Sequence, residues 1–259
     1  MKKIVSLIII VAASIASVQA QLSKQHSKDS LNAVSTPEVK KDWTKIEEKK
    51  RPSDHFIVQF GYDGWAGRPD SVRTTGFGRH FNFYVMFDKP FKSNPHYSLA
   101  YGAGFGSSNI YFDHVNVNLA GTGSTLPFTD VSTSGNHFNK MKLTTIYAEL
   151  PAEFRYYAHP ENKTTGWKAS LGVKVGVLLK GYTKGKDLQN SNGNSIYGPT
   201  YIEKVTAKKF LNGMKAAVSA RVGYGFLSLH GDFNVLGVVK SGAGPTLNCY
   251  SIGLSVGGL

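Results

Sequence analysis

Cysteine, dense basic runs and metal-binding motifs are scarce or missing in this 259-residue sequence. The one cysteine, Cys249, excludes an internal disulfide, and a metal cluster cannot be built on a single thiol. The net charge of +13 comes from dispersed lysines and arginines, without a zinc or RNA-binding motif among them. We therefore expect no metal, no cofactor and no nucleic-acid partner.

Long hydrophobic runs are missing beyond the N-terminal segment, so no later segment has the roughly 20 apolar residues that a spanning helix needs. The N-terminal segment begins with Lys2 and Lys3, continues with an apolar stretch at residues 4–18, and ends in small residues near Ala20. This order is typical of a secretion signal, and we predict a cleaved signal peptide over residues 1–20. An N-terminal membrane anchor is the alternative, although the apolar stretch is short for it.

The remaining chain divides into two parts of different composition. Residues 21–54 are rich in lysine, serine, aspartate and glutamate. We predict a polar periplasmic segment there, either flexible or with a short helix. From residue 55 to residue 259, apolar and polar positions alternate, as in β-strands with one apolar face. We predict one all-β domain over residues 55–259.

Eight runs show this alternation, and no long helical periodicity interrupts them. They lie at residues 56–62, 77–87, 97–105, 144–160, 167–179, 210–222, 227–235 and 250–256. Long and short connections alternate, and the longest lie at residues 113–140 and 183–204. This is typical of an up-and-down barrel whose two ends face different compartments. Because closed barrels and helices are the two structures that can span a membrane, we predict an eight-stranded antiparallel up-and-down transmembrane β-barrel.

The direction of the apolar faces distinguishes a membrane barrel from a soluble lipocalin-like barrel, in which that face points inward. In the stretch TTIYAELPAEFRYYAHP, at residues 144–160, one face is wholly apolar and the other carries charges. The polar faces of other runs are rich in glycine, which suits a narrow interior where backbones approach closely. We predict that the apolar faces point to lipid and that paired charges fill the interior. The predicted interior charges are Glu149, Glu153, Arg155, Lys174, Lys215, Arg221 and Asp232.

Aromatic residues recur near the ends of the predicted strands. Two aromatic girdles at the two lipid–water interfaces are expected of a membrane barrel. The predicted girdle residues are Tyr62, Trp65 and Phe77 towards the long-loop end, and Phe87, Tyr97, Tyr156, Trp167 and Tyr224 towards the short-turn end.

Two single residues carry further structural expectations. Pro151 has no N–H to give to a neighbouring strand, so we expect a bulge or a missing hydrogen bond there. Cys249 shares the inward parity of its run, and we expect a small interior filler rather than a reactive thiol.

Two phrases resemble a known family. The phrase YAELPAEFRYY, at residues 147–157, resembles the strand motif of PorT-like outer-membrane β-barrel proteins, in which a Leu/Ile-Pro pair precedes an apolar run ending in Arg-Tyr. The phrase SARVGYGFLSLHGDFNV, at residues 219–235, resembles the later hairpin of that group. More broadly, residues 55–259 are similar to small eight-stranded barrels of the OmpA and OmpX type. The resemblance implies the outer membrane of a Gram-negative bacterium, with the N- and C-termini in the periplasm.

Three functions remain open from the sequence. The first is a structural or surface-recognition barrel, whose long loops bind partners. The second is a subunit of an envelope secretion or transport assembly, with residues 21–54 as a docking element. The third is a lipid-modifying enzyme, for which His114 beside Asp113 is the best candidate pair among the histidines. We favour the first, and we predict no catalytic, cofactor-binding or metal-binding residue.

Overall fold

A computed structural model describes residues 55–75, 77–132, 135–161 and 165–257. The predicted signal peptide at residues 1–20 and the polar segment at residues 21–54 lie outside these described residues. The described residues contain no helix long and apolar enough to cross a membrane. They form strands β1 (Phe56–Ala66), β2 (Arg79–Pro90), β3 (Tyr97–Phe112), β4 (Val115–Val117), β5 (Phe128–Asp130), β6 (His137–Tyr157), β7 (Trp167–Gln189), β8 (Ile202–Thr206), β9 (Met214–Tyr224), β10 (Leu227–Asn234) and β11 (Asn248–Gly257).

Eight of these strands form a closed antiparallel ring. Around the ring the order is β1, β2, β3, β6, β7, β9, β10 and β11, and β11 pairs with β1 from Ala66–Asn248 to Ile57–Gly257. Each strand of the ring therefore pairs with the next ring strand along the chain, which is an up-and-down topology. Strands β4 and β5 form a separate small hairpin, and β8 extends the sheet beside the upper part of β7.

The two ends of the ring differ in their connections. At one end, which we call the turn end, short segments at residues 91–96, 158–166 and 225–226 join consecutive strands. Tyr224 pairs with Leu227, and Gly225 has a φ of 58°, so this hairpin has two central residues and a glycine where left-handed backbone is needed. The opposite end, which we call the loop end, carries the longer connections, including β4, β5 and β8.

The alternation of side chains follows the predicted parity along most of the ring. On β7 the outward residues from Trp167 to Leu179 are apolar or aromatic, and the residues between them are buried or partly buried. A bulge then changes the parity, because Ile146 pairs with Lys180 whereas Tyr147 pairs with Leu178, which leaves Leu179 without a partner on β6. Leu178 keeps the inward parity of Lys174 and Gly176 before it, whereas the bulge turns Lys180 outward.

Pro151 interrupts one side of its strand, as its missing N–H predicts. The pairing of β3 with β6 passes from Tyr101–Ala152 to Gly104–Glu149, so Gly102 and Ala103 have no ladder partners there. The pairing of Pro151 with Lys174 on β7 continues, and the bulge in that pairing lies at Leu179 instead.

Several predicted boundaries differ from the structure at the loop end. The run expected to begin at Phe210 forms a strand only from Met214. Phe210 lies in the loop before that strand, where it is buried. The connection expected at residues 183–204 is shorter, since β7 continues to Gln189 and β8 begins at Ile202. β6 likewise begins at His137, inside the connection expected at residues 113–140. These strand extensions have polar outward faces, so the apolar alternation that marks the other strands is missing from them.

Candidate functional site

All seven predicted interior charges lie on strands of the ring and point into it. Six belong to strands β6, β7 and β9, and Asp232 belongs to β10. Because the ring is narrow, cations on one strand reach carboxylates on another. The interior therefore contains a series of ion pairs at successive levels between the turn end and the loop end.

Nearest the turn end, Glu153 lies between two arginines. Its Oε2 atom accepts a hydrogen bond of 2.8 Å from Nε of Arg155 and another of 2.8 Å from Nη2 of Arg221. Nη1 of Arg155 lies 4.0 Å from Oδ1 of Asp88, and Nε of Arg221 lies 3.4 Å from Oγ of Ser170. Both carboxylates and both guanidiniums are shielded from solvent, so each charge depends on its neighbours.

In the middle of the ring, Lys174 reaches across the interior. Its Nζ atom donates to Oδ2 of Asp232 at 2.9 Å and to Oε1 of Gln59 at 3.2 Å. Asn82 also donates to Oε1 of Gln59 at 3.2 Å, and the ammonium of Lys174 lies 5.0 Å from the ring centre of Tyr84. Four ring strands therefore meet at this level through polar side chains.

A second pair, Glu149 and Lys215, lies beside this bridge. Nζ of Lys215 donates to Oε1 of Glu149 at 2.7 Å, and the hydroxyl of Tyr84 donates to Oε2 at 2.6 Å. Both carboxylate oxygens are thus satisfied, although the side chain of Glu149 is fully buried. The backbone passes close by at Gly106, where a Cβ atom would lie 2.5 Å from Oε1 of Glu149.

Closer to the loop end than these pairs lies a cluster, absent from the predicted interior charges, that is formed by Asp63, His80 and His230. Nδ1 of His80 lies 2.8 Å from Oδ1 of Asp63, and Nε2 of His80 lies 2.9 Å from Nε2 of His230. Ser251 donates to Asp63 at 2.5 Å, and Ser108 donates to its other oxygen. Asp63 falls on the same side of the alternation in β1 as Gln59, the inward side, and this shared parity is the sequence signal that predicts Asp63 inside the ring. Because both hydroxyls contact the carboxylate rather than an imidazole, the cluster lacks the contact that activates a serine nucleophile.

The loop end is closed by a second unpredicted feature, an apolar cluster that we call the loop-end cap. Its buried residues come from upper strand positions and from the loops: Trp65, Val72, Ile110, Phe112, Val115, Val117, Leu119, Leu126, Met141, Leu143, Tyr147, Leu178, Phe210, Leu211, Val238, Val239, Ala243, Leu247 and Cys249. Beneath it, a cavity of about 20 Å³ touches Asp63, His80, Lys215 and Cys249. Such a volume holds about one water molecule, so side chains fill most of the space that the described residues enclose at this level.

The loops that supply the cap are also joined to one another by hydrogen bonds. Nζ of Lys209 donates to the carbonyl oxygens of Gly121, Thr122 and Gly123 at 3.2, 3.0 and 2.9 Å. The N–H of Leu126 donates to the carbonyl of Ala243 at 2.7 Å. Three separate loops are therefore packed into one folded unit.

Two carboxylates at the loop end, Asp187 and Asp130, accept hydrogen bonds from neighbouring residues. Oδ1 of Asp187 accepts from the hydroxyl of Ser195 at 2.5 Å, and Oδ2 accepts from Asn139 at 3.1 Å and Gln189 at 2.7 Å. These hydrogen bonds, that of Ser195 first, lower the pKa of Asp187. Hydrogen bonds from Ser132 lower the pKa of Asp130 in the same way.

Seven of the eight predicted girdle residues have outward side chains near the two ends of the ring. Tyr62 and Phe77 are neighbours at the loop end, with ring centres 5.0 Å apart. The turn-end residues are Phe87, Tyr97, Tyr156, Trp167 and Tyr224, all exposed. Within this group the ring centres of Trp167 and Tyr224 are 5.9 Å apart, and those of Tyr97 and Tyr156 are 5.4 Å apart.

The assignment of Trp65 to the girdle is wrong. Trp65 is 9% exposed and belongs to the loop-end cap, where its ring centre lies 5.7 Å from that of Phe112. The reason is parity, because Trp65 shares the inward face of β1 with Asp63 rather than the outward face with Tyr62. Cys249 belongs to the same cap and is buried, and its parity predicts this inward position.

The candidate catalytic pair does not form a close contact. Nε2 of His114 lies 3.8 Å from Oδ1 of Asp113, and both side chains are about half exposed. The ring centre of His114 lies 5.4 Å from that of His137. Among the described residues, no group of three or more metal-binding side chains is found.

Comparison with known proteins identifies the kind of barrel. The comparison with curated proteins gave no match. Among solved structures, a mutant form of a porin from Rh. blastica is 8% identical over 78% of this chain and 97% of the porin, with a TM-score of 0.17. A likeness that weak carries no argument. The model of the outer membrane protein beta-barrel domain family matches residues 58–238, most of the chain, and the protein therefore belongs to that family.

Proposed function

We propose that the protein is a non-conducting barrel of the Gram-negative outer membrane that displays a folded loop surface for recognition outside the cell. The chain termini lie in the periplasm, the loop end lies outside, and the strand faces bearing the exposed apolar residues contact lipid. The PorT-like subgroup remains our interpretation of the two sequence phrases. The single observation that carries the proposal is the filled interior beneath the loop-end cap.

The interior supports a closed state for two reasons. Ion pairs link strands across the ring at successive levels, and a passing ion would have to separate charges such as Lys174 and Asp232, 2.9 Å apart. Above them, the apolar cap leaves a cavity of about 20 Å³ rather than a channel. Eight-stranded rings are of the size at which side chains just fill the interior.

The recognition surface is proposed to lie on the segment at residues 190–201. Tyr197 is 66% exposed, and its ring centre lies 5.0 Å from that of Tyr201. Ile196 and Ile202 are also exposed beside them. Exposed aromatic side chains on an ordered loop are typical anchors of protein–protein contacts. We therefore propose a protein partner for this face.

Orientation is tested by labelling single cysteines in intact cells. Ser191→Cys places an accessible thiol at the loop end, and Lys92→Cys places one at the turn end, since both positions are exposed. The buried Cys249 leaves little background. A membrane-impermeant maleimide should label Ser191→Cys in intact cells and Lys92→Cys only after the outer membrane is permeabilised. The reverse pattern would overturn the proposed orientation.

Closure is tested in planar bilayers. The purified protein should give no steady ion conductance, and the Lys174→Ala/Asp232→Ala double variant should remain closed because the loop-end cap is intact. Stable conductance steps from the wild-type protein would overturn the closed-barrel proposal.

Part of the proposal is that the protein is not a lipid-modifying enzyme. The distance of 3.8 Å between His114 and Asp113, and their exposure, support this. The purified protein should leave phospholipid acyl chains intact in detergent micelles, and hydrolysis that is lost in His114→Ala would contradict it.

A further inference from the structure

A group of lysines lies on the outer face of the ring at its loop end. We call this group the outer lysine cluster, and it consists of Lys140, Lys142, Lys184, Lys186 and Lys204. The neighbouring positions Met141, Leu143, Thr183 and Gly185 are buried, so the lysines occupy the outward side of β6, β7 and β8. Arg79, at the start of β2, is exposed on the same side of the ring.

The strand register places these lysines directly opposite one another. Lys140 pairs with Lys186 and Lys142 pairs with Lys184 across β6 and β7, and Lys184 also pairs with Lys204 of β8. Like charges at directly opposed positions destabilise a sheet, since their Cβ atoms are about 5 Å apart. In the described part of the chain, no ion pair joins any of the five to a carboxylate. Asp187 interacts electrostatically with Lys186, but the cluster as a whole keeps a net positive charge that an external anion would stabilise.

The cluster has a defined shape as well as a charge. A cleft of about 200 Å³ is lined by Tyr111, Lys140, Met141, Lys142, Lys184 and Lys186. Nζ of Lys142 is positioned by a hydrogen bond of 2.9 Å to Oδ1 of Asn109. Tyrosine rings lie under the ammonium groups, with Lys142 at 5.7 Å from the centre of Tyr111 and Lys204 at 4.1 Å from that of Tyr182. The lysines thus line a cleft with ordered walls.

The height of the cluster on the barrel indicates which anion reaches it. The outward residues of β7 are apolar or aromatic from Trp167 to Leu179, and the bulge then turns Lys180 outward, followed by Tyr182, Lys184 and Lys186. The twelve residue-to-residue steps from Trp167 to Leu179, at about 3.3 Å each and tilted by about 45°, rise through roughly 28 Å, close to the height of the apolar band of a membrane barrel. The lysines therefore begin where the hydrocarbon ends and lipid headgroups begin.

We propose that the outer lysine cluster binds the phosphate-bearing headgroup of a lipid in the outer leaflet. The ammonium groups of Lys142 and Lys184 contact the phosphate, Lys140, Lys186 and Lys204 surround it, and the acyl chains lie along the apolar outward face of β6 and β7. The phosphate relieves the repulsion between the opposed lysines, and the tyrosines hold the ammonium stems in place. The assignment of the cluster to the outer leaflet rests on the proposed orientation, whereas the affinity for phosphate does not.

Binding is measured with purified protein in a non-ionic detergent, using diphosphorylated lipid A as the probe and native mass spectrometry as the readout. The Lys142→Gln/Lys184→Gln variant should bind roughly thirty-fold more weakly, because each lysine near an anionic surface contributes a factor of about five in affinity. The matched control is Lys89→Gln/Lys92→Gln, which removes two exposed lysines at the turn end and should bind as the wild type does. Equal binding by the two double variants would overturn the proposal.

Two further arms identify the chemistry and the source of the anion. Lipid A without its phosphates should bind much more weakly than diphosphorylated lipid A. Equal binding of the two forms would mean that the acyl chains alone are recognised, and it would overturn the proposal. Inorganic phosphate at millimolar concentration should not displace the lipid; displacement would assign the cleft to free phosphate instead.

A stability measurement separates loss of the site from loss of folding. Without lipid, the Lys142→Gln/Lys184→Gln variant should unfold at a urea concentration equal to or above that of the wild type, since opposed charges are removed. Lipid A should raise the midpoint of the wild type and not that of the variant, and a rise in both would count against the site. These assays use purified protein in detergent, so their outcome does not depend on the orientation in the membrane. A negative result here is therefore distinguishable from a negative result of the cysteine labelling that tests orientation.

Discussion

At the scale of single residues, the interior is most sensitive at the shared carboxylate of Glu153. One oxygen of Glu153 receives hydrogen bonds from both Arg155 and Arg221, each at 2.8 Å. Removing one member of a buried ion pair leaves the remaining charge uncompensated, which costs about 3–5 kcal/mol. Loss of the Glu153 charge leaves two guanidiniums facing each other, so its removal is expected to cost more than removal of either arginine.

We predict that Glu153→Gln destabilises the barrel by about 3–5 kcal/mol, and that Arg155→Ala has a smaller effect. The control is Lys140→Ala, an exposed change that should keep stability or raise it slightly, because Lys140 lies opposite Lys186. The measurement is the urea concentration at which the unheated protein loses its distinct gel mobility. Equal midpoints for Arg155→Ala and Lys140→Ala would contradict a structural role for the ion pairs.

Crowding near Glu149 supports a second prediction at this scale. A methyl group at position 106 would lie 2.5 Å from Oε1 of Glu149 and 2.8 Å from Oδ1 of Asn82. Gly106→Ala therefore displaces the carboxylate that pairs with Lys215, and overpacking of this kind costs about 1–3 kcal/mol. The matched control is Gly213→Ala, where a Cβ meets no atom within 4 Å. Similar urea midpoints for the two variants would show that the interior near Glu149 has room to adjust.

At the scale of strands and loops, the period of two along the sequence predicts most of the ring. It identifies the strand that carries Glu149, Glu153 and Arg155 and the direction of each, because inward and outward environments differ sharply in polarity. It does not identify the bulge at Leu179, where both Leu179 and Lys180 point outward. A bulge is set by the pairing with a neighbouring strand, and that pairing has no signature in the sequence of one strand.

The sequence does not predict the loop-end cap, and the reason is related: the cap depends on contacts between separate segments of the chain. Leu119, Leu126 and Leu247 are isolated apolar residues within polar loops, and they become buried only because three loops meet over the ring. The girdle assignment of Trp65 is wrong because an aromatic residue at a strand end suits both an outer girdle and an inner cap. Only the parity of the residue along the strand distinguishes the two. The Asp63 cluster likewise depends on contacts between β1, β2 and β10.

A prediction for the loops concerns Asp187, which joins β7 to the segment at residues 190–201. Its hydrogen bonds from Ser195 and Asn139 lower its pKa, so its contribution is complete above the ordinary aspartate pKa near 4 and is lost as the pH falls through the folded value. At pH 7, Asp187→Asn should increase proteolytic cleavage within residues 190–201 several-fold, because one acceptor oxygen is replaced by a donor. In the wild type the same exposure should occur only below about pH 4.

The matched control for Asp187 is Asp130→Asn, which removes a loop carboxylate with a similarly lowered pKa in a different segment. This variant should leave cleavage within residues 190–201 unchanged. If both variants increase cleavage within residues 190–201 equally, the hydrogen bonds of Asp187 are not what keeps that segment folded. The loss of a negative charge from the loops would then explain the cleavage.

At the scale of the whole molecule, closure of the ring depends on the pairing of β1 with β11. This pairing runs from Ala66–Asn248 to Ile57–Gly257 and joins the first strand of the ring to the last, so it forms only after every other strand of the ring has been synthesised. It also leaves no free strand edge in the ring, as a structure within lipid requires. We expect a barrel closed in this way to keep its fold in detergent and to migrate differently on a gel before and after boiling, whereas an open sheet should not.

Ser255 offers a test of that closure, because it pairs with Gln59 on β1 and with Ser228 on β10. Its hydroxyl makes no hydrogen bond among the described residues, so Ser255→Ala should keep the wild-type mobility shift. Ser255→Pro removes an N–H and cannot be accommodated in a strand paired on both sides. We predict that most of the unheated Ser255→Pro protein migrates at the position of the boiled sample. Retention of the full shift by this variant would mean that the β1–β11 seam is not what makes the barrel resistant, and the stability would have to come from the interior ion pairs and the loop-end cap.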